Sequence, residues 1–274
     1  MHTPKTWFIT GASRGFGRIW AEAALARGDK VAATARQLQA LDDLTHTYGE
    51  QFLPLALDVT DRNAVFAAVA RAHQHFGRLD VVVSNAGYGY MGAIEEAEMA
   101  DTRAVFETNV FGTLSVIQAA LPILRAQGSG HILPVTSVAG LIAVPTSGIY
   151  EAAKFAVEGM AEALAAEVAR LGLKVTMIEP GGYATDFLSA SSLKTAPPIA
   201  AYDGVRAELA AMLTPDDLGD PSATAEAILK VVDAPNPPLR LMLGRLLPMV
   251  KAVYAERIAT WEAWDDVAQA AFGK

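Results

Sequence analysis

The chain has 274 residues, with 22 Lys and Arg against 30 Asp and Glu, which gives a net charge of −8 at pH 7. Such an acidic chain is a poor electrostatic match for nucleic acid or an anionic membrane, so neither partner is expected. It contains no cysteine, which excludes disulfides, thiolate chemistry and cysteine-ligated metal sites. Hydrophobic residues make up 52% of the sequence, enough to bury a large core in one domain.

The beginning of the chain and its apolar runs bear on where the protein resides. Only five residues precede the first predicted strand, which starts at Thr6, so no signal or transit peptide is expected. No uninterrupted apolar run approaches the roughly 18 residues of a membrane-crossing helix. We therefore expect a cytoplasmic protein without a membrane span.

Short apolar runs alternate with helical patterns along the chain. Strands are predicted at Thr6–Thr10, Lys30–Ala35, Phe52–Leu57, Leu79–Ser84, His131–Thr136, Lys174–Ile178 and Leu239–Leu243. Helices are predicted at residues 15–27, 37–47, 61–76, 101–126 and 149–171. The alternation is typical of βαβ units in an α/β protein. Right-handed crossovers then give a single-domain, doubly wound parallel sheet with helices on both faces.

The pattern changes in the last third of the chain. Residues 189–198, rich in Ser, Ala and Pro, predict a mobile loop, and a short helix is predicted at Tyr202–Leu213. Loops of this length are uncommon in compact domains and often functional, so a lid over bound substrate is predicted at 187–215. Residues 245–274 predict a helical tail. Its Trp261 and Trp264 lie three residues apart, so one helix face is expected to be buried against this chain or a second subunit.

A glycine-rich turn joins the first strand to the first helix, where Thr10–Gly17 reads TGASRGFG. In this context Gly11 permits a tight turn, Gly15 lets the backbone approach a pyrophosphate, and Gly17 allows close helix–strand packing. The helix N-terminus offers free N–H groups and a positive dipole end to the phosphates. The turn therefore predicts a dinucleotide cofactor on a Rossmann fold, with an ordinary glycine turn as the alternative.

The end of the second strand indicates which dinucleotide is bound. An NAD site typically has an acidic residue there to hold the ribose 2′-hydroxyl. This strand ends in Ala35-Arg36 without an acid. Arg36, joined by Arg14 of the glycine turn, suits a 2′-phosphate because a guanidinium is a planar fork of donors. NADP(H) is therefore predicted over NAD(H); the alternative is that both arginines are solvated surface charges.

A Tyr and a Lys at helical spacing carry the predicted chemistry. Tyr150 and Lys154 are four residues apart, and Ser137 lies thirteen residues before Tyr150. The spacing puts the phenol and the ammonium on one helix face. A cation beside a phenol favours the phenolate, so the pKa of Tyr150 is expected to be lowered. With the Ser137 hydroxyl on a substrate oxygen, these groups form a proton donor for a carbonyl that receives a hydride.

With these motifs the chain resembles the classical short-chain dehydrogenase/reductase family over residues 5–190. Further motifs match at Asp58, Asn85-Ala86-Gly87, Asn109, Pro180-Gly181 and Thr185. The resemblance and the glycine turn together predict these cofactor-binding residues: Gly11, Ser13, Arg14, Gly15, Phe16, Gly17, Arg36, Asp58, Val59, Asn85, Ala86, Gly87, Tyr150, Lys154, Pro180, Gly181 and Thr185. It implies that cofactor binding lies mainly in residues 5–140, catalysis in 137–185 and a substrate loop at about 186–215.

The resemblance also implies roles for four catalytic residues. Tyr150 would be the general acid in reduction and the base in oxidation. Lys154 would bind the nicotinamide ribose and lower the pKa of Tyr150, and Ser137 would position and polarise the substrate carbonyl. Asn109 would hold a water that links Lys154 to solvent. The family associates through its fifth and sixth helices, so a homodimer or homotetramer is expected.

The substrate pocket is expected at the carboxyl ends of the strands, beside the nicotinamide. Predicted substrate-binding residues are Tyr88, Tyr90, Met91, Ser137, Tyr183, Phe187 and Leu188, with Leu141, Ile142 and Val144 as further wall residues. These side chains are mainly apolar or aromatic, which predicts a neutral, fairly hydrophobic ketone, aldehyde or alcohol. Two alternatives are a dehydrogenase of steroid, retinol or similar lipid alcohols, and a non-catalytic sensor of NADP(H).

Several other residues are predicted to have structural rather than catalytic roles, or no strong effect. Pro134 lacks the N–H that a central strand needs, which predicts a local bulge before Ser137. Ala153 replaces the Ser of many relatives, with little expected consequence. His131 begins a strand and is predicted to be structural. His73 and His75 are two residues apart and cannot share a helix face, so no metal site is predicted.

Overall fold

Parallel strands form the centre of the computed structural model, which describes residues 3–189, 192–212 and 218–273. The strands are β1 (Thr6–Ile9), β2 (Lys30–Ala35), β3 (Phe52–Ala56), β4 (Val81–Ser84), β5 (Gly89–Met91), β6 (Gly130–Pro134), β7 (Leu173–Val175), β8 (Met177–Pro180), β9 (Leu193–Thr195) and β10 (Arg240–Leu243). Six of them form one parallel sheet in the order β3-β2-β1-β4-β6-β7. The predicted doubly wound α/β fold is confirmed.

Helices cover both faces of this sheet. They are α1 (Gly15–Ala26), α2 (Asp42–Tyr48), α3 (Arg62–Phe76), α4 (Met99–Phe106), α5 (Thr113–Gln127), α6 (Gly148–Val168), α7 (Asp203–Met212), α8 (Thr224–Asp233), α9 (Leu247–Ala263) and α10 (Asp265–Ala271). Local sequence sets their ends. The Asp61 carboxylate, for example, accepts from the Ala64 N–H at 3.0 Å at the start of α3, and Gly77 ends that helix with φ +80°.

Successive residues of the central strands pack into two separate hydrophobic cores, one on each face of the sheet. Phe8 packs with the inner faces of α3, α5 and α6, whereas Trp7 and Ile9 pack with α1, α2 and α8. All three side chains are fully buried. Side chains of a strand alternate between faces, so a sheet covered on both sides needs apolar residues at every position. The continuous apolar runs of the sequence have this cause.

Pro134 interrupts the sheet on one side only. The pairing of β6 with β7 ends at Ile132–Val175 and resumes as a single bridge between Val135 and Ile178. Pro134 has no N–H to donate toward that neighbour, so the predicted strand at 174–178 is divided into β7 and β8. Toward β4 the register continues through Pro134, and the Val135 N–H donates to the Ser84 carbonyl at 2.9 Å. The predicted bulge is therefore wrong, and Ser137 follows a regular strand end.

One long helix runs through the domain at residues 99–127. It consists of α4, a π-helical segment at Glu107–Gly112, and α5. By length and composition alone it could cross a membrane, although 56% of its most apolar window is buried inside the fold. Core helices of water-soluble proteins pass the same test, so this is weak grounds for a membrane span. The helix supplies Val116 and Ala120 to the core under the sheet.

The segment after residue 191 is anchored to the strand that follows β4. The described part contains β9, which pairs in parallel with β5. The buried Glu96 carboxylate accepts from the Ile199 N–H at 2.6 Å and from Arg206 of α7 at 2.6 Å. The prediction of an irregular loop over 189–198 is therefore wrong for Leu193–Thr195. The predicted helix is present as α7, and residue 213 lies outside the described residues.

The C-terminal tail forms the predicted helices but exposes its tryptophans. Trp261 is 69% exposed and Trp264 is 64% exposed. Burial of this face against the same chain is therefore wrong, while burial by a second subunit stays a prediction. The start of the tail does pack on the domain, since Val250 is buried with Leu141 and Ile142.

His131 makes the stability of the fold depend on pH. Its Nε2 lies 2.9 Å from the Thr176 hydroxyl, and burial, with Lys174 and Lys5 nearby, lowers the His131 pKa to about 3. The unfolded chain binds this proton below about pH 6.5, so the free energy of unfolding should fall as the pH drops from 6.5 toward 4, by about 3 kcal/mol. His131→Gln should lose less stability than wild type between pH 7 and pH 4 in urea unfolding. The exposed His46→Gln is the control; equal losses for both variants would contradict the expectation.

Candidate active site

The glycine turn is built against the end of β4. Gly11 has φ +68°, and a Cβ on it would lie 2.9 Å from the Cα of Ala86. The Thr10 hydroxyl accepts from the N–H groups of Asn85 and Ala86 at 3.0 and 3.1 Å. The Asn85 amide donates to the carbonyls of Thr10 and Gly11, both at 3.0 Å. Asn85 and Thr10 therefore lock together the two turns that lie at the carboxyl ends of β1 and β4.

The turn has the shape that a dinucleotide requires. Gly15, at the first position of α1, has φ +57°, and apart from its chain neighbours and its own helix nothing described lies within 4 Å of the position its Cβ would take. Gly17 has no such space, because a Cβ there would lie 2.5 Å from the Gly11 carbonyl oxygen. Free N–H groups at the start of a helix, open space and a close glycine backbone fit a pyrophosphate. Among the predicted residues of this turn, Ser13 is exposed and Phe16 stacks on Trp20 at 5.3 Å.

Two arginines and an aspartate flank this turn. Arg36 is exposed directly after β2, and Arg14 is half-buried and donates to the Ser192 hydroxyl at 2.6 Å. Arg14 is therefore not a freely solvated charge, because it ties the glycine turn to the segment that leads into β9. Asp58 is exposed after β3, where it accepts from Thr60, and Val59 is buried in the core.

Ser137 lies at the carboxyl end of the β6 run. It caps a short 3-10 helix at Val138–Gly140 by accepting from the Ala139 N–H at 3.1 Å. Its hydroxyl donates to the Pro180 carbonyl at 3.2 Å, which joins it to the Pro180-Gly181 turn. The nearby Thr185 hydroxyl accepts from the Phe187 N–H at 3.3 Å and keeps its own proton available for donation. Ser137 and the predicted carboxamide-binding turn are thus adjacent.

Tyr150 and Lys154 lie on one face of α6, with the Lys154 Nζ 5.6 Å from the centre of the Tyr150 ring. Burial raises the pKa of Tyr150, the Ser137 hydroxyl acts in the opposite direction, and Glu151 adds to the increase. The expectation that Lys154 lowers this pKa is therefore wrong for the chain alone. Burial also lowers the pKa of Lys154 itself to about 8, so the lysine is mainly charged at neutral pH and loses its charge in mildly alkaline solution. Its ammonium donates to the Val135 carbonyl at 2.9 Å.

Asn109 lies in the π-helical segment, and its side chain is already engaged. The amide accepts from the Tyr88 N–H at 3.1 Å and donates to the Tyr88 carbonyl at 2.9 Å. Asn109 therefore holds the chain just after Gly87, and its own backbone carbonyl accepts from the Thr113 hydroxyl at 2.9 Å. The π-helical segment brings this amide to the turn. A water-holding role for Asn109 stays a prediction.

The predicted wall residues divide into two groups. Phe187 lies 5.6 Å from the Tyr150 ring, and Tyr90 is buried in a cluster with Tyr88 and Tyr150. Met91, on β5, is half-buried beside β9. The others pack elsewhere: Tyr183 against Phe16 at 5.3 Å, and Leu141 and Ile142 against the start of the tail. The backbone N–H of Val144 donates to Glu151, and the side chain of Leu188 lies outside the described residues.

Several charged residues near the site were not found from the sequence. Glu158 and Glu179 are buried close to Lys154 and Pro180, respectively, and Arg240 contacts both. Glu151, next to Tyr150, is buried and accepts from the Val144 N–H at 2.7 Å. Glu158 lies four residues after Lys154, and this spacing could have indicated from the sequence that a carboxylate shares the helix face of the lysine. Glu179 stands out as the acid of the otherwise apolar strand β8.

A parallel sheet with a dinucleotide-type turn, and a Ser, Tyr and Lys at its carboxyl edge, defines the class of nucleotide-dependent oxidoreductases. A family model described as short chain dehydrogenase matches residues 5–196, and the chain belongs to this family. It is 45% identical over 243 residues to Oxidoreductase BOA17 of Botryotinia fuckeliana, covering 88% of this chain and 89% of that protein. It is 34% identical to a 3-ketodihydrosphingosine reductase of Bacteroides thetaiotaomicron, covering 92% and 91%.

Solved structures of short-chain dehydrogenases and related enzymes superpose on this chain. A short-chain dehydrogenase from Streptomyces avermitilis superposes with a TM-score of 0.91 at 35% identity, covering 98% of this chain and 99% of that one. An alcohol dehydrogenase from Thermococcus sibiricus, complexed with 5-hydroxy-NADP, has a TM-score of 0.74 at 26% identity and coverages of 88% and 97%. A relative from Burkholderia phymatum in complex with NAD has a TM-score of 0.79 at 26% identity and coverages of 94% and 95%. Similar structures thus bind either dinucleotide.

Proposed function

We propose that this oxidoreductase uses NADPH to reduce the carbonyl of a neutral, hydrophobic ketone or aldehyde, and catalyses the reverse oxidation of the alcohol. The observation that carries the proposal is that Ser137, Tyr150 and Lys154 lie at the Pro180-Gly181 turn, on the same edge of the parallel sheet as the glycine turn. A proton donor and a hydride-donor site at one sheet edge are the two requirements of carbonyl reduction.

The chain's own residues bind, orient and protonate. Bound NADPH supplies the hydride. The Ser137 hydroxyl hydrogen-bonds the substrate oxygen and releases its bond to the Pro180 carbonyl. Tyr150, whose pKa is raised by burial, keeps its proton at neutral pH and donates it to that oxygen as charge develops there. Lys154 is placed to hold the nicotinamide ribose and to stabilise the phenolate that remains. Phe187 and Tyr90 limit access of water to the reacting oxygen.

The preference for NADP(H) rests on charge at the end of β2. That strand ends at Ala35, and exposed Arg36 follows without an acidic residue that would repel a 2′-phosphate. Arg14, in the glycine turn, brings a second guanidinium to the same edge of the sheet. Two arginines and no acid are an arrangement that favours the phosphorylated dinucleotide.

Removing the exposed guanidinium should therefore change the cofactor preference. Arg36→Ala is expected to weaken NADPH binding about 10-fold or more, because one charge-assisted hydrogen bond to phosphate is lost, and to leave NADH binding nearly unchanged. Binding of both cofactors can be followed by fluorescence titration. Arg71→Ala, an exposed arginine on α3, is the matched control. Equal weakening of NADPH and NADH would contradict the 2′-phosphate role.

Lipid ketones are a second candidate substrate class. The relative named 3-ketodihydrosphingosine reductase aligns over nearly the whole chain. The half-buried rings of Tyr88 and Phe187, which both pack near Tyr150, suit an apolar chain beside the carbonyl. NADPH oxidation should be measured with short apolar ketones, long-chain keto lipids and charged keto acids. Equal rates with keto acids and apolar ketones would refute the hydrophobic-substrate proposal. NADPH binding without turnover on every compound would favour a sensor.

The oligomeric state is likewise proposed from the family's mode of association. Two phenylalanines are exposed on the helices concerned, Phe111 at 49% in the π-helical segment and Phe155 at 36% on α6. Burial of large apolar side chains between subunits supports a homodimer or homotetramer through these helices.

A further inference from the structure

Two buried glutamates lie near residues of the candidate active site, one on α6 after Lys154 and one on β8 before Pro180. Along one face of α6, Tyr150, Lys154 and Glu158 follow one another at intervals of four residues, so the lysine is between the phenol and the carboxylate. Glu158 is only 4% exposed, and Glu179, on β8 just before Pro180, is only 1% exposed. The acid pair, defined as Glu158 and Glu179, is therefore buried in the fold next to residues of the candidate site.

One arginine serves both carboxylates of the acid pair. The Arg240 Nε lies 3.2 Å from a Glu158 oxygen and 3.4 Å from a Glu179 oxygen. Its Nη2 donates instead to the exposed Glu162 at 2.9 Å. One oxygen of each buried glutamate has no hydrogen-bond partner among the described residues. A single guanidinium therefore does not compensate two buried negative charges, and the pair needs a further positive charge or a proton.

Lys154 is the other cation near Glu158, because it lies one helical turn before Glu158 on α6. The carboxylate of Glu158 favours the ammonium form of Lys154, against the effect of burial. The charged and polar groups that face Glu158 are Lys154 and Glu162 of α6, Arg240 of β10, Glu179 of β8 and the Thr136 hydroxyl after β6. Burial and the charge of Glu158 raise the pKa of Glu179 to about 8. Burial raises the pKa of Glu158 as well, but the Thr136 hydroxyl and Arg240 oppose that increase. The Arg240 Nε donates a hydrogen bond to Glu158, whereas the Glu179 oxygen nearest to Arg240 has no hydrogen-bond partner among the described residues. The proton is therefore expected on Glu179, and the negative charge on Glu158.

We propose that Glu158 is a positioning residue that keeps Lys154 protonated and thereby sets the pH range in which Tyr150 exchanges its proton with substrate, while Glu179 holds a proton, which leaves Glu158 as the charged acid of the pair. The role rests on the function proposed above, because it acts through Tyr150 and Lys154. Glu158 provides the charge that holds the proton on the lysine. Glu179, neutral at pH 7, provides a second charge only in alkaline solution. The acid pair itself contacts neither substrate nor cofactor in this role.

The direct test follows the protonation of Lys154 by NMR of protein containing lysine labelled with ¹³C at Cε. The Lys154 signal is assigned by its absence in Lys154→Arg. Glu158→Gln is expected to lower the pH at which Lys154 titrates by about one pH unit or more, because a neutral amide replaces the carboxylate. In alcohol oxidation with NADP⁺, the half-maximal pH should rise by a similar amount, since an uncharged lysine no longer stabilises the phenolate.

Two further variants separate this role from general damage to the fold. Glu179→Gln mimics the protonated acid, so it should leave the Lys154 titration and the rate unchanged at pH 7 and change them only above pH 8. Glu162→Gln removes the exposed partner of the same arginine and should change neither. Equal shifts in Glu158→Gln and Glu162→Gln, or a larger effect of Glu179→Gln than of Glu158→Gln at pH 7, would overturn the proposal.

The proposal can still be tested if Glu158→Gln does not fold or if no carbonyl compound is reduced. If Glu158→Gln does not fold by circular dichroism, Glu158→Asp, which retains the charge, replaces it and should keep Lys154 charged at pH 7. A wild-type Lys154 that is already neutral at pH 7 overturns the proposal whatever the variants show. If no carbonyl compound is turned over, the proposed function fails, while the NMR titration still decides whether the acid pair controls Lys154.

Discussion

Tyr150→Phe is expected to lower kcat/KM for carbonyl reduction by about 10³-fold, since a positioned general acid contributes roughly this factor. The ring remains available for its contact with Phe187, at 5.6 Å in wild type, so the fold and the site's apolar wall should be retained. The lost group is the phenolic proton, which burial keeps on Tyr150 at neutral pH. Steady-state NADPH oxidation and cofactor titration together measure the effect.

The binding measurement distinguishes chemistry from structural damage. NADPH affinity should change by less than about threefold, because the phosphate and ribose contacts that we propose lie in the glycine turn and at Lys154. Tyr254→Phe, on the exposed tail helix, is the matched control and should retain full activity. An unchanged rate in Tyr150→Phe would refute the mechanism. Loss of both turnover and NADPH binding would indicate that the phenol supports the cofactor site itself.

The predicted site followed from sequence because its geometry is local or fixed by the sheet. Tyr150 and Lys154 needed only helical spacing. Ser137 and the glycine turn needed only the rule that parallel strands end at one edge, where functional loops gather. The strands could also be predicted, because successive residues such as Phe8 and Ile9 point to opposite buried faces of the sheet and must both be apolar.

The features that sequence did not reveal depend on contacts between distant segments. The pairing of Gly89–Met91 with Leu193–Thr195 joins two short stretches without a strand-like pattern of their own. The hydrogen bonds of the Asn109 amide join a π-helical segment to Tyr88, 21 residues earlier in the chain. The pKa of Tyr150 was predicted from its cationic neighbour alone, although burial outweighs that charge. Burial is a property of the packed fold and has no local signal.

A single methyl group at Gly17 is expected to damage both the fold and the cofactor site. Its Cβ would lie 2.5 Å from the Gly11 carbonyl oxygen and 2.5 Å from the Asn85 amide nitrogen, and the first of these is backbone that cannot move aside cheaply. Gly17→Ala must therefore shift α1 away from the glycine turn or break the Asn85 bonds to the carbonyls of Thr10 and Gly11. Overpacking of this kind costs about 1–3 kcal/mol of the free energy of unfolding.

The same displacement moves the start of α1 away from the pyrophosphate position, so NADPH binding should weaken about 10-fold or more in Gly17→Ala. Gly159→Ala is the matched control, because Gly159 lies inside α6 with no atom within 4 Å of the added Cβ. That variant should be more stable than wild type by about 0.5–1 kcal/mol, since alanine is the better helix former. If Gly17 is fixed by packing, urea unfolding should show a loss of stability in Gly17→Ala and a gain in Gly159→Ala. NADPH titration should show weaker binding in Gly17→Ala only. A Gly17→Ala protein that is as stable as Gly159→Ala and binds NADPH normally would show that the turn tolerates a side chain, which would remove the argument for close approach between α1 and the cofactor.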